Sequence, residues 1–297
     1  MVEHTHPSAE ALAFLASERP RLPALTSDTA WAFREAIKVD SLQRAERALA
    51  RHNVTVVPVV VGGIECLVVT PSGWQAGAEA LYCFGGGYFS GSPREDLILA
   101  APLAAYSGTR ITMVDYRLAP EHPYPVAIED GSVVYREMAK RGPFHLIGES
   151  AGGNLALVLL QRARQAGLRA PDRVALMSPW CDMTMDGVVA GNADGDDPTL
   201  TPEMNHAAVA MYARGRPLAD PEVSPVFADW SGDLPEFMIT TGTRDLLRGQ
   251  VLRLADRLHH APCLVLREYP QLWHVFEFYD EIPEADRSLR EFGAFLR

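Results

Sequence analysis

Short, almost uniformly apolar runs recur along the chain from residue 54 onward. "VTVVPVVV" and "ECLVVT" flank the pair Gly62-Gly63, the pattern of two antiparallel strands joined by a tight turn. Then come "AEALYCF", "RITMVDY", "FHLIGE", "RVALMS", "EFMITTG" and "PCLVLREY", separated by longer stretches of helical length. Strands without polar alternation suit burial on both faces, and connections of that length suit crossover helices. The pattern predicts an α/β protein with a mostly parallel, eight-stranded central sheet flanked by helices.

Two regions break the alternation. Residues 1–50 include "DTAWAFREAIKVDSLQRAERALA", with apolar side chains at helical spacing and no strand signal, so helices outside the sheet are expected there. The stretch "DMTMDGVVAGNADGDDPTLTPEMNHAAVAMYARG" interrupts two strands with a Gly/Asp-rich and then helical insertion. An insertion there projects from the carboxyl edge of the sheet, where open α/β folds bind ligands. The expected division is a discontinuous helical lid, 1–50 with 183–218, over an α/β core, 51–182 with 219–297. No internal repeat or low-complexity tract is present.

The most informative stretch is "FHLIGESAGGNLALVLL". Gly148-Glu149-Ser150-Ala151-Gly152 fits G-x-S-x-G, in which a sharp strand-to-helix turn exposes a serine hydroxyl above the sheet. The five-residue pattern alone is weak, but an apolar strand runs into it and an amphipathic helix leaves it. A serine hydroxyl needs a base to take its proton. In the order nucleophile, acid, base that accompanies this turn, the base follows the last strand. His259 and His260 precede that strand, and His274 in "YPQLWHVFEF" follows it, so His274 is the expected base, with Trp273 as a wall of the site. The acid that orients the imidazole is expected after the preceding strand, at Asp245; Asp256 and Glu268 are weaker candidates. "LYCFGGGYFSGS" supplies backbone that a substrate can approach closely. Its Gly86 and Gly87 amides, with that of Ala151, form the expected oxyanion hole. A G-x-G-x-x-G nucleotide loop begun at Gly85 fails, because position 90 is Ser90.

Composition narrows the partners. The 297 residues carry a formal charge of −11 with no Lys/Arg-rich block, which argues against nucleic acid and anionic membranes. The stretch Val54 to Thr70 is broken by Pro58, Gly62, Gly63 and Glu65, so no membrane span is expected. The N-terminus lacks the pattern of a signal peptide. Cys66, Cys83, Cys181 and Cys263 include no C-x-x-C pair, which fits structural thiols in a reducing cytoplasm.

From about residue 55 to the end, the chain resembles the bacterial hormone-sensitive lipase family of α/β-hydrolase esterases. The resemblance rests on "FGGGYFSGS", "DYRLAPEHPYPVAIEDG", "GESAGGN", "SPWCDMT", "VSPVFADWSG", "TGTRDLLRG" and the loop holding His274. It implies a helical cap, a Ser150–Asp245–His274 triad, no metal or organic cofactor, and hydrolysis of small, short- to medium-chain acyl esters. It also implies the glycine oxyanion hole, a charged floor of Asp115, Arg117 and Glu121, and room for a homodimer. Phe84 stands where the family usually has histidine, so an apolar ring must be packed there rather than hydrogen-bonded. Gly249 replaces a common second acid. Expected substrate-binding side chains are Phe84, Tyr88, Phe89, Trp180 and Tyr212. Trp31, Phe33, Met183, Met185 and Met211 are assigned either to the pocket or to the core of the cap.

The triad does not record the leaving group, so lactones, carbamates and amides stay open beside esters. A non-catalytic ligand receptor of this fold would lack the triad histidine that this chain retains. A metallohydrolase has only the His4-Thr5-His6 pair in its favour.

Overall fold

A computed structural model describes residues 6–18, 24–184 and 194–297. His4, Met185 and most of the first part of the expected cap insertion lie outside the described residues. Eight strands form one sheet: β1 (Val54–Val61), β2 (Ile64–Pro71), β3 (Glu79–Cys83), β4 (Arg110–Val114), β5 (His145–Glu149), β6 (Arg173–Met177), β7 (Glu236–Gly242) and β8 (Leu264–Tyr269). Their order is β1-β2-β4-β3-β5-β6-β7-β8. The pairs β1/β2 and β2/β4 are antiparallel, and all others are parallel. Every strand expected from the apolar runs is present.

The described α-helices are α1 (Ala9–Ala16), α2 (Ala30–Arg51), α3 (Leu97–Ser107), α4 (Val126–Arg141), α5 (Ser150–Gln165), α6 (Pro202–Ala213), α7 (Arg248–Arg257) and α8 (Pro283–Phe295). Helix α3 packs on α2 and α8, and α4 packs on α5. All five residues of β5 are buried, as are the last four of β3, β4 and β6. That burial accounts for the uniformly apolar runs, because neither face of these strands meets water.

Strand order reverses between β3 and β5, the place where a crevice opens in a parallel sheet. Cys83 ends β3 opposite Gly148 of β5, Glu149 pairs with Met177 of β6, and Gly242 ends β7 opposite Tyr269 of β8. The segments after residues 83, 149, 177, 242 and 269 therefore leave the sheet at one edge. Each carries a group of the site described next.

Candidate active site

The serine turn is imposed by close packing. Ser150 follows β5 directly and begins α5, with φ of 51°, a conformation that costs a non-glycine residue and is found where surrounding structure enforces it. A Cβ on Gly152 would lie 2.0 Å from the Cys83 carbonyl oxygen, and one on Gly148 would lie 2.4 Å from that of Gly152. Only glycine lets helix, serine strand and neighbouring strand come this close.

His274, on the segment after β8, places Nε2 2.9 Å from Ser150 Oγ and Nδ1 3.0 Å from Asp245 Oδ1. Because the carboxylate accepts, Nδ1 carries the proton and Nε2 presents its lone pair to the hydroxyl. Asp245 is fully buried. It also accepts from Thr241 Oγ1 at 2.9 Å and from the Leu247 amide at 2.9 Å. Burial alone would raise the Asp245 carboxyl; the charge and hydrogen bond of His274, with the Leu247 amide and Ser178, outweigh it and hold it below its usual range. Burial likewise works against a charged imidazole, but Asp245, aided by Asp197 and Glu277, raises His274 above its usual value. The Ser150 residue remains 8 % exposed and the His274 side chain 10 %, so the reactive edge reaches solvent. Asp256 and Glu268 take no part; Glu268 pairs with Arg248 at the surface.

The glycine loop leaves β3 beside the serine. Gly86 has φ of 92°, and its carbonyl accepts from the Ser90 amide at 2.9 Å and the Phe89 amide at 3.1 Å. Among the described residues, no acceptor is recorded for the amides of Gly86 and Gly87. Ala151 lies in the first turn of α5, where amides have no partner inside the helix. Beneath the loop, Glu149 accepts the Gly85 amide and meets the Asp96 carboxyl, which accepts from Tyr82 Oη at 2.8 Å. Two carboxyls in hydrogen-bond contact need one proton between them. Burial pushes Asp96 up to about 8 and Glu149 well above its usual range.

Phe84 is fully buried and stacks on Tyr116, with ring centroids 4.1 Å apart at 8°. It is packed rather than hydrogen-bonded, as an apolar ring must be. Tyr116 Oη donates to the Phe84 carbonyl at 2.6 Å, so the pair fixes the start of the glycine loop. Tyr88 stacks on Tyr212 of α6 at 3.8 Å and donates to Asn154 Oδ1 at 2.8 Å. Phe89 and Trp180 are buried as well, Phe89 against Phe33. All five side chains expected to bind substrate are therefore packed in this structure. Met183 and Met211 are buried, whereas Trp31 is 68 % exposed.

Two expectations are corrected. Asp115, Arg117 and Glu121 are exposed. Arg117 pairs with Asp130 of α4 and Glu121 with Arg34 of α2, so these two charges brace the surface, and none of the three forms a buried floor. Trp273 does not wall the site. It is fully buried in a small cluster under α1, stacked on Phe14 at 4.2 Å, because α1 docks on the segment carrying His274.

Several contributors were not singled out from the sequence. Asn154 donates to the carbonyls of Trp180 and Val223 at 2.8 and 2.9 Å, joining α5 to the two segments that flank the insertion. Ser178 accepts the Val275 amide at 3.2 Å and hydrogen-bonds Asp245. Arg34 reaches the carbonyls of Phe89 and Ala119, tying α2 to the glycine loop. Glu277 accepts from Thr240 and Ser288, and burial lifts it to about 7. Only Asn154 had a visible cue, its place in "GESAGGN". Among the described residues, no group of three or more His, Cys, Asp or Glu side chains is arranged to hold a metal ion, and no helix is long and apolar enough to cross a membrane.

Comparison with known proteins agrees with this fold. A family model described as alpha/beta hydrolase fold matches residues 80–278. An acetyl-hydrolase of Streptomyces hygroscopicus is 31 % identical over 261 residues, covering 86 % of this chain and 87 % of its own. Among solved structures, EstE5 soaked with p-nitrophenyl butyrate superposes with a TM-score of 0.84 at 28 % identity, covering 98 % of both chains. A hormone-sensitive lipase from a metagenome library gives a TM-score of 0.81 at 30 % identity, covering 97 % of this chain and 94 % of its own.

Proposed function

The chain belongs to the α/β hydrolases, in their bacterial hormone-sensitive-lipase branch, and from that membership we propose a serine-dependent carboxylic-ester hydrolase with Ser150, His274 and Asp245 as its triad. The observation that carries the reading is the unbroken relay from Ser150 Oγ to Nε2 at 2.9 Å and from Nδ1 to Asp245 at 3.0 Å. Nε2 takes the hydroxyl proton as Oγ attacks the ester carbonyl carbon. The amides of Gly86, Gly87 and Ala151 receive the oxyanion, each such donor lowering the barrier by roughly 3–4 kcal/mol. His274 then passes its proton to the leaving alcohol oxygen, and an acyl group remains on Ser150. Water, deprotonated by the same nitrogen, attacks the acyl carbon; the proton returns to Oγ and the acid departs.

Asp245 does not carry the proton. It fixes the tautomer and stabilises the imidazolium that forms at each step. The cap of residues 1–50 and 183–218 would cover the site through α2, held by Arg34, and α6, held by the Tyr88–Tyr212 stack. A small acyl ester is the substrate this reading favours, supported by the acetyl-hydrolase relative. Four unpaired cysteines fit a reducing cytoplasm, and sedimentation tests the homodimer that the resemblance implies. Replacing Ser150 by Ala should abolish turnover of p-nitrophenyl acetate and butyrate. Turnover at the parent rate would refute the mechanism, and a panel of acyl chains, lactones and carbamates identifies the preferred bond.

A further inference from the structure

Midway along the insertion, just before α6, stands "GDDPTL", whose composition reads as a solvated loop. Asp197 in that stretch is nevertheless buried, with 8 % of its surface exposed. Its Oδ2 accepts two backbone amides at 3.0 Å each, those of Leu246 and His274. The first is the residue immediately after the triad acid, and the second is the triad base itself. Oδ1 accepts the Thr199 amide and hydroxyl, both at 2.8 Å, and the Leu200 amide at 3.1 Å. All five partners are donors, so this carboxyl accepts from every side; burial and the Asp245 charge raise it above its usual range, and the His274 charge with the Thr199 and Leu246 amides opposes them in favour of the ionised form.

We propose that Asp197 is a positioning residue for catalysis: one carboxylate oxygen clamps the two loops carrying Asp245 and His274 and adds a fixed negative charge behind the imidazole. The proposal rests on the triad reading given above. Among the described residues, no other acceptor joins these two amides. Without the clamp, the loops would still touch through the Thr243 amide on the Tyr269 carbonyl at 3.0 Å, the Gln271 amide on Thr243 Oγ1 at 2.7 Å, the Arg244 amide on the Leu272 carbonyl at 2.8 Å and Arg244 Nε on Gln271 at 2.8 Å, but all of these involve residues that precede Asp245 and His274 in their loops. The charged groups around the ring are Asp245 after β7, Glu277 after β8 and Asp197 from the insertion, all acidic. Removing the negative charge at Asp197 lowers the proton affinity of the imidazole. A group placed 1 Å from its productive position loses about a hundredfold in rate.

Asp197→Asn keeps the shape but turns an amide NH2 toward donors that need an acceptor. With p-nitrophenyl butyrate, it should lower kcat about a hundredfold with KM changed less than threefold. The acid-side inflection of kcat/KM should move to lower pH. A residue that served only folding would lower Tm and leave that inflection in place. Unchanged kcat and inflection in folded Asp197→Asn would overturn the clamp. Should the variant fold poorly, hydrogen exchange in the unmodified enzyme decides: protected Leu246 and His274 amides support the clamp, and free exchange at both overturns it. A parallel Ser150→Ala sample separates the two levels. If it keeps turnover the triad itself is wrong, whereas a dead Ser150→Ala beside an unaffected Asp197→Asn removes the clamp alone.

Discussion

Gly152→Ala is a sharp test of how the serine turn is built. The added Cβ would stand 2.0 Å from the Cys83 carbonyl oxygen, 2.4 Å from that of Phe84 and 2.5 Å from the Cys83 carbonyl carbon. All three are backbone atoms of β3 or of the glycine loop, so no rotamer change relieves the clash. Ordinary contact requires about 3.5 Å, and α5 and β3 must therefore part by roughly 1.5 Å. Overpacking of this kind costs about 1–3 kcal/mol, and each kcal/mol lowers Tm by about 2–4 °C in a protein of this size class. The activity loss should exceed the stability loss. Ser150 and the Ala151 amide share the displaced turn, and a shift near 1 Å at reacting groups costs about a hundredfold. The assay is kcat/KM with p-nitrophenyl butyrate alongside Tm by circular dichroism. Gly77→Ala is the control, because a Cβ there meets nothing within 4 Å. Gly152→Ala activity within twofold of the parent, with Tm unchanged, would refute the packing argument.

Other perturbations have defined outcomes. Activity requires neutral His274, whose proton affinity is raised above the usual value by Asp245, so kcat/KM should fall as pH drops through a value above about 6.5; Asp245→Asn should lower kcat by about four orders of magnitude. The Asp96–Glu149 proton predicts a stability slope: an acid raised to about 8 keeps a proton that the unfolded chain gives up near 4, so stability falls as pH rises between those values and levels off above. Asp96→Asn should flatten that slope by up to one proton, about 1.4 kcal/mol per pH unit, measured by urea unfolding from pH 5 to 8. Arg34, with its side chain 19 % exposed, binds Glu121 at 2.7 Å and two loop carbonyls. Arg34→Ala should lower Tm and kcat/KM, and Arg34→Lys should rescue little because an ammonium lacks the planar fork.

The sheet was legible because strands buried on both faces must be apolar throughout, so β3, β5 and β6 announced themselves without alternation. The serine was legible because its turn demands glycine at 148 and 152. His274 and Asp245 followed from chain order, since each occupies the segment after a recognisable strand. Asp197 was hidden for the opposite reason. Its partners, the amides of Leu246 and His274, are 49 and 77 residues away, and backbone donors carry no side-chain signature. Glu149 occupied the freely variable position of the serine motif, and its partner Asp96 lies 53 residues earlier in a different element. Arg34 on α2 carried no sequence cue, because helical periodicity reports which face is polar and not which carbonyl a guanidinium meets. Asp115, Arg117 and Glu121 show the same limit. The resemblance pointed to a charged cluster, but the direction of Arg117 and Glu121, outward to Asp130 and Arg34, depended on where α4 and α2 pack.

The central claim is that the Ser150 hydroxyl is made nucleophilic by His274, and covalent capture tests it most directly. Folded enzyme treated with a fluorophosphonate should gain one adduct, localised to Ser150 by peptide mass spectrometry, at a rate that collapses in His274→Ala and disappears in Ser150→Ala. Labelling elsewhere, or no labelling in enzyme that still hydrolyses p-nitrophenyl esters, would contradict the account.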